Sequence, residues 1–242
     1  MKIALISDIH GNLEALENVL RDIEKRGAEK IHFLGDAVGY GCNPNECVKL
    51  IANHCEIKLL GNHDYAAMGL EAVENFNQLA QTSIQWTQDV LTKKSITTLA
   101  DFEMEADFHD FHMVHGSPGE PDQWRYILTT QQAAKEFDAF SQSTCFVGHS
   151  HLPAIFIRDG NNEVAQFSKS SWERINGNKY IINIGSVGQP RDGDPRACYL
   201  LFDIESNKMQ YQRVEYDIKK VQGKMQKAKI PDFLIERLSV GL

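Results

Sequence analysis

The sequence predicts an α/β protein, a four-layer αββα sandwich of two mixed β-sheets flanked by helices. Three observations predict it. Short apolar runs alternate with amphipathic segments through the first sixty residues, the same rhythm returns after a purely helical stretch, and the chain beyond Pro153 reads as hairpins.

Lys2 to Ile6 is a short apolar strand ending in a polar loop. Leu13 to Arg26 then places Leu13, Leu16, Val19, Leu20 and Ile23 at the spacing of one helix face, with Gly27 as the stop. Ile31 to Leu34 is a second strand, Pro44 to Ala52 a helix with proline at its start, and Glu56 to Leu60 a third strand. That order implies parallel pairing through right-handed crossovers. About residues 65–101 the pattern is helical and amphipathic, an inserted helical cap. The rhythm resumes with Phe111 to Val114, a helix near Gln131 to Phe140, and Thr144 to Val147. Hairpin strands follow at Ala154–Arg158, Val164–Phe167, Lys179–Ile184, Ala197–Phe202 and Met209–Val214, separated by turn residues such as Asp159 to Asn162. A last helix after Pro231 carries Phe233, Leu234 and Leu238. No repeat or linker divides residues 1–242, so a single domain is expected.

Composition narrows the function classes. Against 25 Lys and Arg stand 33 Asp and Glu, a formal charge of −8, and no basic run appears. A sequence-specific nucleic-acid partner is therefore not expected. With 42% hydrophobic and 24% charged residues the chain reads as soluble and globular. Neither a secretory leader nor a membrane span is read from it, so a cytoplasmic protein is expected. Cys42, Cys47, Cys55, Cys145 and Cys198 are odd in number and lack metal or redox spacing, which suits small buried hydrophobes. Nothing in the pattern names an oligomeric state.

The chemistry sits where strands stop. Asp8 and His10 follow the first strand, Asp36 the second, Asn62, His63 and Asp64 the third, His115 the strand from Phe111, and His149 and His151 the strand from Thr144. Carboxyl ends of parallel strands converge on one crevice, so these residues can meet. Their types, carboxylate, carboxamide and imidazole without thiolate, are ligands for a borderline or hard divalent cation. Asp8 and His10 are two apart, and in an extended segment both leave on one face and chelate one ion; the same reading applies to His149 and His151. Asp8, His10, Asp36, Asn62, His115, His149 and His151 make seven candidates, more than the four of one tetrahedral ion. They suit two ions roughly 3.5 to 4 Å apart sharing a bridging carboxylate.

The five blocks, Asp8-x-His10, Gly35-Asp36, Gly61-Asn62-His63-Asp64, His115 and Gly148-His149-x-His151, resemble the calcineurin-like metallophosphoesterases in content and order. Asn183 to Asp194 resembles the small bacterial and archaeal phosphodiesterase-like branch, although Ile184 stands where proline is common there. The resemblance implies the same two-sheet fold and one metal held by Asp8, His10, Asp36 and His151. It implies a second metal held by Asp36, Asn62, His115 and His149, with Asp36 bridging. Two divalent ions are the expected cofactors, Mn²⁺ first, with Fe, Zn, Co and Ni accepted by the same ligands.

A phosphoester hydrolase, phosphodiesterase or phosphomonoesterase, then follows, its nucleophile a hydroxide bridging the metals. Its substrate would be a small phosphoester, a nucleotide being one. In an extended loop His63 diverges from Asn62, so it is expected beside the metals as the general acid. Asp64 would accept from its ring, fixing the tautomer and favouring the imidazolium. Tyr40, Trp124 and Tyr126 are candidates for stacking on a substrate base, with edge packing as the alternative. Arg191 and Arg125 are candidate phosphate clamps, with surface ion pairing as theirs. The Asp-Arg-Gly of the protein phosphatases and dinucleoside tetraphosphatases is replaced by Val38-Gly39-Tyr40-Gly41, which sets those substrates aside. His32, His54, His109 and His112 read as structural. The competing class is a catalytically silent metal-binding scaffold of the same fold.

Overall fold

In the first strand, β1 (Lys2–Ile6), Ile3, Ala4, Leu5 and Ile6 are all buried. A strand apolar on both faces must be covered on both sides, and here it is. Ile3 and Leu5 face a second sheet, packing with Phe111, Met113, Phe146 and Ile182, whereas Ala4 and Ile6 face helices, packing with Leu16, Val19 and Ile51. The computed structural model describes residues 1–242, and this alternation sets its layers.

The first crossover helix, α1 (Leu13–Arg26), is capped by Asn12, whose side chain accepts from Ala15 N at 3.1 Å, and is ended by Gly27 in the left-handed region. β2 (Lys30–Phe33), α2 (Pro44–His54) and β3 (Ile57–Lys58) complete the parallel half. Helices then follow: α3 (Asn62–Ala67), a 3-10 turn Val73–Asn75, α4 (Gln78–Val90) and α5 (Lys93–Ala100). The second sheet begins with β4 (Glu105–Phe108), β5 (Phe111–Val114), α6 (Thr130–Glu136) and β6 (Thr144–Val147). The hairpin strands are β7 (Ala154–Arg158), β8 (Val164–Phe167), β9 (Ser171–Glu173), β10 (Lys179–Asn183), β11 (Ala197–Asp203) and β12 (Lys208–Val214). α7 (Ile218–Lys227) and α8 (Asp232–Glu236) close the chain.

Both sheets have six strands, ordered β3-β2-β1-β11-β12-β9 and β4-β5-β6-β10-β7-β8. Each holds three parallel strands and is extended by antiparallel ones, so the carboxyl ends of β1, β2, β5 and β6 open at one rim. The α/β two-sheet expectation is met. Three elements have no pattern to read. β4 and β9 are edge strands, one acidic and one of three residues, and α7 buries only Val221 and Met225 among lysines. No helix is long and apolar enough to cross a membrane.

His32 in β2 is structural, as expected, and its burial has a consequence. Neither ring nitrogen has a partner, and the ring packs 4.6 Å from Phe108. Burial pulls its pKa from 6.5 down to about 4. A depressed folded-state value favours folding above pH 6.5, and that contribution is lost as pH falls from 6.5 through about 4. His32→Leu is therefore expected to remove about 3 kcal/mol of acid-induced destabilisation across that window. Urea titrations of both proteins at pH 7.5 and 4.5 check it; an unchanged difference between them would refute it.

Candidate metal and phosphoester site

The backbone turns sharply after β1, β2 and β6. Asp8, His10, Asp36, His149 and His151 all have positive φ, between 50° and 66°. Non-glycine residues rarely adopt this region, and clusters of them mark sites held by surrounding structure. The extended spacing argument for Asp8-x-His10 and His149-x-His151 therefore does not describe these loops. Asp8, His10, Asp36 and His151 offer ligand atoms within 4.8 Å of one another, and Asp36, His115 and His149 form a second such group. His149 and His151 thus go to different groups, and Asp36 belongs to both.

The surroundings hold this arrangement. Ile9 N and His10 N both donate to Asp36 O, joining the first two loops. From the stretch Asn183–Asp194, Ser186 Oγ and Gly188 N donate to Asp8 O at 2.8 and 2.9 Å, and Asn183 Nδ2 to Ser150 Oγ at 3.0 Å. A β-carbon on Gly35 would stand 2.6 Å from His115 Nδ1, so glycine lets the third imidazole in.

The hydrogen bonds assign the ring tautomers. Nδ1 of His10, His115 and His151 lies 3.0, 2.7 and 2.6 Å from the carbonyl oxygens of Val38, Leu34 and Gln189. A carbonyl only accepts, so each Nδ1 carries a proton and each ring turns Nε2 inward, where its neutral form offers a lone pair. Those lone pairs meet other acceptors. His10 and His151 Nε2 are 3.0 Å apart, His151 Nε2 is 3.3 Å from Asp8 Oδ1, and His115 Nε2 is 3.3 Å from Asp36 Oδ2. Asp8 Oδ1, Asn62 Oδ1, His115 Nε2 and His149 Nε2 are buried without any hydrogen-bond partner. Buried acceptors aimed at one another repel unless a cation lies between them, so the donor set fits divalent metal.

The charges respond accordingly. Burial opposes ionisation of Asp8 and Asp36, yet neighbouring imidazoles hold both below the carboxylate range. Burial lowers His115, but Asp36 and Asp8 outweigh it and push that ring up to about 9, so without metal it is an imidazolium whose Nε2 proton a bound cation would displace. His149 is pulled to about 3 by burial and His115.

Asn62, His63 and Asp64 form the first turn of α3, not an extended loop. Asp64 does not touch the His63 ring. Its carboxylate accepts from the backbone N–H groups of Asp36, Ala37, Val38 and Gly61 at 2.8, 3.2, 3.1 and 3.1 Å. Expected to set the His63 tautomer, it instead pins the Asp36 loop, because the helical turn directs it back at that backbone. His63 does lie beside the cluster, its ring 4.9 Å from His10 and 4.5 Å from Tyr40, with Nδ1 buried and unpartnered. Burial, opposed by Asp36, pulls it down to about 4, so the neutral ring and not the expected imidazolium is the resting form.

Tyr40 is buried against His10, ring centroids 4.8 Å apart, and Trp124 stands edge-on to His115 at 6.0 Å. Tyr126 stacks on His149 at 4.0 Å and stays half exposed. Arg191 lies over the Tyr40 ring, 5.9 Å from its centroid. Arg125 is instead taken up by an exposed ion pair with Glu120. The carbonyls of Leu34, Val38 and Gln189 have no counterpart in a sequence motif, since every residue carries one.

A family model described as the calcineurin-like phosphoesterase superfamily domain matches residues 1–207. The chain belongs to that superfamily. A solved metallophosphoesterase from Sphaerobacter thermophilus is 39% identical, covers 100% of this chain and 99% of its own, and superposes with a TM-score of 0.89. An uncharacterised protein of Methanocaldococcus jannaschii is 41% identical over 99% of this chain and 98% of its own length. The phosphodiesterase YfcE of Escherichia coli is 25% identical over 84% of this chain and 88% of its own. For a calcineurin-like phosphoesterase, the Asp/His cluster at the rim is the group of residues that could bind metal. The superfamily match stops before α7 and α8.

Proposed function

We propose that the chain is a dimetal-dependent hydrolase of small phosphoesters, nucleotides among them. The observation that carries this reading is the convergence of the buried Nε2 atoms of His10, His115 and His151 on one another and on the carboxylates of Asp8 and Asp36. Asp8, His10, Asp36 and His151 would hold one ion, and Asp36, Asn62, His115 and His149 the other. Bound there, two divalent ions would polarise a phosphoryl group and lower the pKa of a shared water. Manganese is the first metal to try. All five cysteines are free, which accords with the reducing cytoplasm we assign to the protein.

The protein's own groups then divide the remaining work. His10, His115 and His151 stay aimed because backbone carbonyls hold their Nδ1 protons. His63, held next to His10 and against Tyr40 and Phe76, offers a ring N–H to the departing oxygen. Trp124 and Tyr126 brace His115 and His149 from the open side. The YfcE relative favours a diester among the substrates to test.

The test is turnover of p-nitrophenyl phosphate and its bis ester after chelation and reloading with Mn²⁺. Activity on either ester supports the reading; none with any of Mn, Fe, Zn, Co or Ni leaves the scaffold reading in its place. His63→Ala is expected to retain both metals and to lose about a hundredfold in kcat, the scale of removing one hydrogen-bond donor from a developing negative charge. Loss of metal in that variant would overturn the role.

A further inference from the structure

We propose that Gly39 and Tyr40 form a mould that holds the His63 ring beside the Asp/His cluster, which makes both of them positioning residues for the donor that meets the departing oxygen. The proposal deepens the hydrolase reading and rests on it. The imidazoles of His10, His115 and His151 are each fixed by a bond between Nδ1 and a backbone carbonyl. His63 has no such tether: the residue is buried, and its Nδ1 reaches no hydrogen-bond partner. The orientation of this ring therefore rests on the shape of what surrounds it.

Three neighbours supply that shape. A β-carbon built on Gly39, whose φ is +85°, would stand 2.5 Å from His63 Nδ1, 3.0 Å from Cγ and 3.2 Å from Cβ, so only glycine leaves room for the ring. The Nδ1 and Cγ side thus faces the loop, and Nε2, across the ring, is the nitrogen left to serve a ligand. Tyr40 walls the ring with centroids 4.5 Å apart, and it also lies 4.8 Å from His10. Its backbone sits at φ 57°, which a residue with a side chain seldom adopts, and Ser83 of α4 accepts the Tyr40 N–H and keeps it there. Phe76, two residues before α4, stands 5.4 Å from His63 on a third side. The helical cap therefore bears on the site through Ser83 and Phe76.

The backbone of His63 is tied down separately. Its N–H donates to Asp36 Oδ1 at 2.9 Å, so the start of α3 stays beside the carboxylate that both ligand groups share, and side-chain rotation is the freedom that remains. A ring free to rotate would present its N–H to the departing oxygen only part of the time. Blocking the other rotamers removes that cost before substrate binds, and a misplacement of about 1 Å at such a group costs up to about a hundredfold in rate.

Two measurements test this. In the first, the Mn²⁺-loaded enzyme is assayed on the bis ester of p-nitrophenyl phosphate. Tyr40→Leu is expected to keep both metals and its KM while kcat falls about tenfold, and Tyr40→Phe, which keeps the ring, to recover most of that loss. Added to His63→Ala, Tyr40→Leu is expected to cost less than about twofold more, because the group it positions is already gone. The same fall in that background, loss of metal, or no fall in the parent overturns the proposal. In the second, urea midpoints of metal-free protein are compared for Gly39→Ala with and without His63→Ala. The strain of alanine at φ +85° is common to both, whereas the clash with Nδ1 and Cγ disappears with the ring, so the midpoint is expected to drop much less in the second background. Equal drops overturn the contact. Should Gly39→Ala not fold, its rescue by His63→Ala supports the proposal, and if both are unfolded the Tyr40 variants decide it. Should the parent cleave no ester at all, the hydrolase reading fails, and the urea comparison still decides whether the mould exists.

Discussion

Asp36→Asn is expected to lower bound metal from two equivalents to one or none and to cut turnover about a thousandfold or more. Asp36 is the residue shared by both candidate groups, so neutralising it weakens both at once. A loss of several kcal/mol of electrostatic stabilisation at the reacting centre corresponds to that factor, at about 1.4 kcal/mol per decade. The fold should survive. Asp36 Oδ1 also accepts the His63 N–H at 2.9 Å, and an asparagine oxygen can keep that bond while its amide donates toward the His115 and His10 lone pairs. The variant therefore separates chemistry from structure. Metal content, bis-ester turnover and urea midpoint are measured together; two metals retained with turnover within tenfold would sink the bridging assignment.

Asp64→Ala should fail in the opposite way, through stability. The carboxylate is fully buried and takes four backbone N–H groups that no other acceptor reaches. An orphaned buried donor costs about 1–3 kcal/mol, so the loss is about 4 kcal/mol or more, against about 5–15 kcal/mol for a whole domain. We expect Asp64→Ala to be largely unfolded. Asp64→Asn should fold with a lowered midpoint: its oxygen can serve Asp36, Ala37 and Gly61, while its amide confronts the Val38 N–H. Had Asp64 acted through the His63 ring instead, both variants would fold normally and differ only in the pH dependence of kcat. Equilibrium unfolding in urea tells these outcomes apart. A midpoint for Asp64→Ala within about 1 kcal/mol of the parent would show that the loop holds itself.

The two substitutions also show where local reasoning stops. Asp36 is recognisable as a candidate ligand because a carboxylate between a strand and a glycine-rich loop has few other uses. Asp64 differs from it only in where the first turn of α3 sends its side chain, back to the Asp36 loop and away from His63. Likewise β4, β9 and α7 escape the hydrophobic pattern because each buries too little of itself to impose a period.

Side-chain chemistry and its order along the chain are local properties, and they sufficed for the superfamily, the α/β layers and the ligand types at each strand end. Which ligands share a group is not local. His149 and His151 part company because the backbone leaves the extended region at positive φ, where alternation no longer assigns faces. The same holds for the tautomers, set by carbonyls of Leu34, Val38 and Gln189 from other loops. Those relations exist only once distant segments pack, because a hydrogen bond or an ion pair depends on separation in space and not on spacing in the chain.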